Sequence, residues 1–239
     1  MNEDRAWAAT LPSGATAAIV ADGMGGHQAG DVASQLAVDT FREAIASVPA
    51  DLSAEQAKTA LCQAILQANE AVFELAARHE HYRNMGTTVV AALLLDGSGY
   101  IGHIGDSRAY KRRDDTLSRL TEDHTLVNEL AKSGQISPEE AANHPRRNVL
   151  TRALGTDRDV EVDLKAFSWK PGDLLLLCSD GLYSMVSDEE MRATLLEEEL
   201  DLDGKADRLI ALALEAGGDD NVTVLLIDHE DGGQGSEPS

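Results

Sequence analysis

Between residues 87 and 120 the turns are too tight for anything but an antiparallel sheet. Residues 87–95 form a nearly continuous apolar run, Asp96-Gly97-Ser98-Gly99 makes a hairpin turn, and residues 100–104 return as a second strand. Gly105-Asp106-Ser107-Arg108 follows, residues 109–111 continue the strand, Arg113-Asp114-Asp115 turns again, and residues 117–120 make another short strand. Connections this short cannot hold a crossover helix, so parallel βαβ units are excluded and an antiparallel meander is expected. Residues 7–10 and 15–21 read as strands either side of a Pro12-Ser13-Gly14 turn. Residues 160–169 alternate weakly, 174–178 are wholly apolar, and 222–227 supply a last strand.

Helical periodicity flanks these strands. Val32, Leu36, Phe41 and Ile45 mark a helix over 28–47, which Pro49 and Asp51 break. Ser53 and Gln56 form a capping box opening a second helix to about residue 78, with Leu61, Ile65, Val72 and Leu75 on one face. Both are rich in alanine and read as a packed pair laid over a sheet. Ser187 and Glu190 cap a helix to about 198, and another spans 206–216. Residues 121–148 are polar and helical in short pieces. Ser137-Pro138-Glu139-Glu140 starts one piece, and His144-Pro145-Arg146-Arg147 ends it. Such an excursion between strands reads equally as a lid or as a plain crossover connection.

At 239 residues the chain suits one large domain or at most two small ones. A net charge of −22 repels nucleic acid and anionic lipid, so neither is expected as a partner. No apolar run reaches the length of a membrane span and no signal peptide opens the chain, so a cytoplasmic location is expected. Cys62 and Cys178 fall in a helical and a strand pattern and read as buried thiols. Residues 229–239, rich in glycine, serine and acid, read as a disordered tail.

Asp22, Asp106, Asp180 and Asp220 share one setting: each sits at the mouth of a strongly apolar strand beside glycine or a polar turn. Asp-Gly after a strand is a common turn, so any one alone carries little. Four together favour a shared site, because crowded carboxylates repel one another unless cations neutralise them. An all-oxygen set suits Mg²⁺ or Mn²⁺, whereas zinc favours nitrogen and sulfur. Gly23-Met24-Gly25-Gly26-His27 fits neither a dinucleotide fingerprint nor a P-loop. His103 alternates within a strand and reads as structural, while His124 and His144 flank the excursion and are candidates to meet a substrate. Ser107 and Ser179 lack a nucleophile-elbow context, which argues against a serine hydrolase.

Eight blocks in order then resemble the PPM family, the metal-dependent type-2C protein serine/threonine phosphatases, in their bacterial form. They are Asn2-Glu3-Asp4; Val20-Ala21-Asp22-Gly23-Met24-Gly25-Gly26-His27; Met85-Gly86-Thr87-Thr88; Gly105-Asp106-Ser107-Arg108; Asp123-His124-Thr125; Asn148-Val149-Leu150-Thr151-Arg152-Ala153-Leu154-Gly155; Cys178-Ser179-Asp180-Gly181-Leu182; and Asp219-Asp220-Asn221-Val222-Thr223. The resemblance implies an α+β fold over residues 1–228: a four-layer α/β/β/α sandwich of two antiparallel sheets flanked by helix pairs. It implies two Mn²⁺ or Mg²⁺ ions, with Asp22 bridging them, the Gly23 carbonyl on one, and Asp180 and Asp220 on the other. Asp106 with Asp180 would hold a third, weaker ion, and Asp4 would act through a metal-bound water. Residues 128–148 fall in the family's mobile flap beside the site, and His124, His144 and Arg146, at or within the excursion, are expected on the flap or substrate side.

The implied activity is hydrolysis of phosphoserine and phosphothreonine in proteins by a metal-bridging water or hydroxide, in a monomer that opposes a cognate serine/threonine kinase. Two departures stand out. The family usually carries a phosphate-clamping arginine on a strand a few residues before the Asn-x-Asp block, whereas here Met1-Asn2 stands first, which reads as a truncated start with the first strand missing. Met24 occupies the position where animal members have a histidine, so the leaving-group acid is unassigned. The alternative to an active phosphatase is a catalytically impaired phosphoprotein-binding regulatory module.

Overall fold

The computed structural model describes residues 2–26, 29–49 and 51–229. Strands β1 (Asp4–Thr10) and β2 (Thr16–Met24) pair antiparallel around a turn in which Gly14 takes φ +84°. Helices α1 (Ala29–Ile45) and α2 (Ala54–Arg78) follow as a packed pair. The Ser53 hydroxyl accepts from the Gln56 N–H at 3.2 Å and Gln56 Oε1 accepts from the Ser53 N–H at 2.9 Å, the reciprocal box that the sequence indicates.

Strands β3 (Gly86–Thr87), β4 (Val89–Leu95) and β5 (Ser98–Ile104) come next, then β6 (Arg108–Arg113) and β7 (Thr116–Arg119). The excursion holds α3 (Leu126–Lys132), capped by Thr125, and α4 (Pro138–Ala142), capped by the Ser137–Glu140 box. The chain closes with β8 (Asp163–Ser168), β9 (Leu174–Cys178), α5 (Asp180–Tyr183), α6 (Asp188–Leu196), α7 (Leu202–Glu215) and β10 (Val224–Asp228). One sheet runs β1-β2-β4-β5-β8, with β3 on β2, and the other runs β10-β9-β6-β7. Every pairing is antiparallel.

The continuous apolar strands are explained by burial on both faces. Ala17, Ile19, Ala21, Val89, Ala91 and Leu93 pack against α1 and α2. Their alternates Ala18, Val20, Val90, Ala92 and Leu94 meet Leu175 and Leu177 of the facing sheet. Leu174, Leu176 and Cys178 turn outward onto Met191, Leu195, Leu209 and Ala213 of α6 and α7. Three apolar interfaces thus hold four layers, as the α/β/β/α reading requires.

Local pattern misleads at a few places. Residues 109–111 do not continue the sheet of β5: the chain crosses to the other sheet through Gly105-Asp106-Ser107. Gly105 makes this possible at φ +101°, where a Cβ would also lie 2.7 Å from Thr88 Cγ2. Strand β2 runs past Asp22, because Gly23 and Met24 pair with Thr87 and Gly86. Helix α7 begins before residue 206, capped by Asp201 on the Gly204 N–H at 2.8 Å. His229, the first residue of the expected tail, is held in place: its N–H donates to Asp173 O at 2.9 Å and its ring stacks on Trp169. The rest of that expected tail, and His27, lie outside the described residues. Cys178 is buried, Cys62 is half-buried, and both are free thiols. Among the described residues no helix is long and apolar enough to cross a membrane.

Candidate metal centre

The four strand-end aspartates converge on one cleft of about 680 Å³ at the end of the sandwich. Asp22 reaches it from β2, and its peptide is pinned on both sides. Asp22 O accepts from the Thr88 N–H at 2.8 Å and the Thr87 hydroxyl at 2.9 Å, and the Asp22 N–H donates to Thr88 Oγ1 at 3.1 Å. Thr88 Oγ1 in turn lies 2.6 Å from Ser107 Oγ, which ties the Asp22 strand to the crossover that carries Asp106. Asp180 opens α5 directly after β9. A Cβ on Gly181 would collide with the Asn221 carbonyl, so glycine there lets the Asp180 and Asp220 turns lie against each other. The Asp220 turn is held by the Asn221 N–H on Asp220 Oδ1 at 2.7 Å and by the Glu3 N–H on Asn221 Oδ1 at 2.7 Å.

Asp4 sits opposite Asp22 in the β1–β2 register and is 4 % exposed. Its Oδ2 accepts from Ser179 Oγ at 2.7 Å, and that hydroxyl also accepts from the Thr223 N–H at 3.0 Å. Asp4 Oδ1 and Asp180 Oδ1 are buried and have no hydrogen-bond partner. Orphaned carboxylate oxygens are costly in a protein interior. Glu3, Asp22, Asp106, Asp180, Asp219 and Asp220 all line the cleft, and among the described residues no lysine, arginine or histidine does.

The charges tell the same story. Burial first, then the charges of Asp4, Asp180, Asp106 and Asp220, push Asp22 up to about 10. Burial and then Asp180 and Asp123 push Asp106 up to about 7. Asp4 and Asp180 are also raised, burial being the larger cause in each. The nearby Arg108 relieves little, because its guanidinium is engaged by Asp123 at 2.7 and 3.1 Å and lies over the Tyr183 ring. Oxygen-only donors, unpartnered oxygens and uncompensated negative charge fit hard divalent cations.

The flap residues separate. His124 is buried, 4 % exposed, and turns inward to His103 and Asp163, its ring stacked on His103 and hydrogen-bonded by the Gly105 N–H; it does not line the cleft. His144 is half-buried and Arg146 exposed, and neither lines the cleft. Asn148 and Leu150 line it instead, at the point where the excursion returns. Thr88 lines it as well; its signal in the sequence is a hydroxyl in an otherwise apolar run.

Residues 1–212 match the family model described as protein phosphatase 2C. The chain belongs to the protein phosphatase 2C family. It is 47 % identical over 210 residues to the serine/threonine phosphatase stp of Listeria welshimeri, covering 88 % of this chain and 83 % of that protein. The serine/threonine phosphatase Stp1 of Staphylococcus aureus superposes with a TM-score of 0.90 at 37 % identity, covering 97 % of this chain and 90 % of that one. The catalytic domain of the phosphatase PstP, in complex with two manganese ions, superposes with a TM-score of 0.82 at 37 % identity, covering 97 % and 93 %.

Proposed function

We propose that this chain is a metal-dependent serine/threonine phosphatase whose cleft holds two Mn²⁺ or Mg²⁺ ions on Asp22, the Gly23 carbonyl, Asp180 and Asp220. The observation that carries it is the lining of the cleft: several carboxylates and, among the described residues, no basic side chain. A phosphate dianion cannot approach such a surface unless cations reverse its sign. The manganese found in the related PstP domain supports the same assignment. When bound, such ions supply a nucleophilic water at neutral pH and neutralise the phosphoryl oxygens during in-line displacement.

The chain's own residues fix the frame for this. The Thr87–Thr88 clamp holds the Asp22 peptide, and Ser179 orients Asp4 beside it to accept a proton or a water hydrogen. Asp106, on its crossover, extends the donor set to a third and weaker position shared with Asp180. Asn148 and Leu150 bound the cleft on the flap side, with His144 and Arg146 further out on the excursion, where a phosphoprotein would pass. The physiological reading is a cytoplasmic, monomeric enzyme of signal transduction that reverses a serine/threonine kinase. That no basic group lines the cleft among the described residues favours catalysis with metal over a phosphate-binding module without it.

The test is p-nitrophenyl phosphate and phosphopeptide hydrolysis in Mn²⁺ and in EDTA. Asp180→Asn and Asp22→Asn are expected to lose on the order of 10²-fold or more of the Mn²⁺-dependent rate with unchanged circular dichroism. Equal rates in EDTA and Mn²⁺ would refute the assignment.

A further inference from the structure

One cluster, with two buried histidines and a half-buried aspartate, stands outside the cleft. His103, His124 and Asp163 each offer a ligand atom, and those atoms lie within 4.8 Å of one another. Distance alone suggests a second ion, but the one hydrogen bond that the His124 ring makes points to a different role. His124 Nδ1 accepts from the Gly105 N–H at 3.0 Å, so that nitrogen has no proton and Nε2 carries it. Nε2 lies 3.3 Å from Asp163 Oδ2 without the geometry of a hydrogen bond, and the other oxygen of Asp163 accepts from Arg152 Nη1 at 2.8 Å. His103 Nε2 lies 2.8 Å from the Glu122 carbonyl and must donate to it. The two rings stack at 4.8 Å with planes 16° apart, so their in-plane lone pairs run alongside each other rather than toward one point.

The cluster holds a peptide instead. His124 grips Gly105 twice: its ring accepts the Gly105 N–H, and its backbone N–H donates to Gly105 O at 3.0 Å. Gly105 is the φ +101° hinge of the crossover between sheets, and the next residue is Asp106. The Asp106 carbonyl accepts from Tyr183 OH at 2.9 Å, while among the described residues no side chain donates to its carboxylate. The direction of that carboxylate is therefore set through the backbone. His124 also stands at the neck of the excursion, where His124 O accepts from the Thr151 N–H at 2.8 Å and Thr125 bridges Leu150.

We propose that His124 is a positioning residue for Asp106: with the ring proton on Nε2, the bare Nδ1 fixes the Gly105 peptide and so aims the Asp106 carboxylate into the cleft. Burial, and then the neighbouring His103, hold His124 below the ordinary histidine value, which favours the neutral ring this requires. The proposal rests on the reading of the cleft as a cation site.

The experiment compares the parent chain with His124→Leu, which removes the acceptor, and His124→Asn, whose Oδ1 can stand where Nδ1 was. In EDTA, the ¹⁵N imidazole spectrum of the parent is expected to show His124 protonated at Nε2 and bare at Nδ1. The Gly105 amide is expected to exchange about tenfold faster in His124→Leu, the loss of one net hydrogen bond of about 1.4 kcal/mol. In Mn²⁺, His124→Leu should need about tenfold more metal for half-maximal p-nitrophenyl phosphate hydrolysis, with KM for that substrate within about twofold. His124→Asn should stay within about threefold of the parent in both exchange and metal requirement.

A proton on Nδ1 would overturn the proposal whether or not any variant folds. So would His124→Asn behaving like His124→Leu, or His124→Leu behaving like the parent. Zn²⁺ binding at the trio with loss of Gly105 protection would also overturn it. A parent without Mn²⁺-dependent hydrolysis would refute the reading of the cleft instead, and the exchange measured in EDTA would still decide the clamp.

Discussion

Replacing Asp22 by asparagine is expected to stabilise the metal-free protein while abolishing its activity, and the gain should grow with pH. In the folded chain Asp22 is pushed up to about 10 by burial and by Asp4, Asp180, Asp106 and Asp220. In the unfolded chain it titrates near the ordinary carboxylate value of about 3.9. Between these values the native state holds a proton that the unfolded state has released, so unfolding becomes easier as pH rises. Each pH unit in that window costs about 1.4 kcal/mol. From pH 7 to 8.5 the full effect is about 2 kcal/mol, and solvent at the open mouth of the cleft reduces it to about 1 kcal/mol. For a chain of this size that is a fall in Tm of about 2–4 °C.

Any histidine contribution is common to both proteins and cancels in the comparison with Asp22→Asn. The assay is calorimetric or circular-dichroism melting in EDTA at pH 7 and 8.5, for the parent and for Asp22→Asn, whose amide does not titrate. The difference in Tm between the two should widen by about 2–4 °C across the window. Saturating Mn²⁺ should abolish the slope of the parent and, at about 100-fold over Kd, add about 2.7 kcal/mol per site. A parent that is flat or rises with pH relative to Asp22→Asn would refute the claim that these carboxylates share one electrostatic field.

Two further outcomes follow from named contacts. Gly23→Ala would drive a Cβ into the Gly30 carbonyl and the Glu3 backbone, so it should cost about 1–3 kcal/mol of stability in melts and lose Mn²⁺-dependent hydrolysis. At Asp173, burial raises the carboxyl, but Arg113 at 2.5 and 2.6 Å and the Lys170 N–H overcome it and leave the pKa below the ordinary value. The resulting stability is present above the ordinary carboxylate pKa and is lost as pH falls through the depressed one. Asp173→Asn should therefore lower Tm at pH 7 and flatten the acid limb of the Tm profile, leaving the rate in Mn²⁺ unchanged.

The parts of this fold legible in the sequence are those whose cause is local. Ser53 with Gln56, Ser137 with Glu140 and Ser187 with Glu190 each name a helix start, because both partners of the box lie within one turn. Asp201 gave no such mark, since the third helical position after it is glycine. The apolar runs at 87–95 and 174–178 announce core strands because both faces are covered. What a run cannot say is which sheet its strand joins: Gly105-Asp106-Ser107 looks like an interruption within one strand, and only a positive φ at Gly105 turns it into a passage between layers.

The site divides along the same line. Asp22, Asp106, Asp180 and Asp220 stand out singly, each ending or preceding an apolar run, but their convergence depends on pairings between distant strands. His124 misled for the opposite reason. Its neighbours Glu122, Asp123 and Thr125 give the local stretch a solvated look, whereas its partners Gly105, Thr151 and Asp163 are all remote in the chain. The segment that looked closest to a substrate thus carries a buried ring, and what that ring holds is the backbone beneath a carboxylate. In this cleft the charged groups are conspicuous in sequence, and the neutral groups that aim them become visible only once the two sheets are stacked.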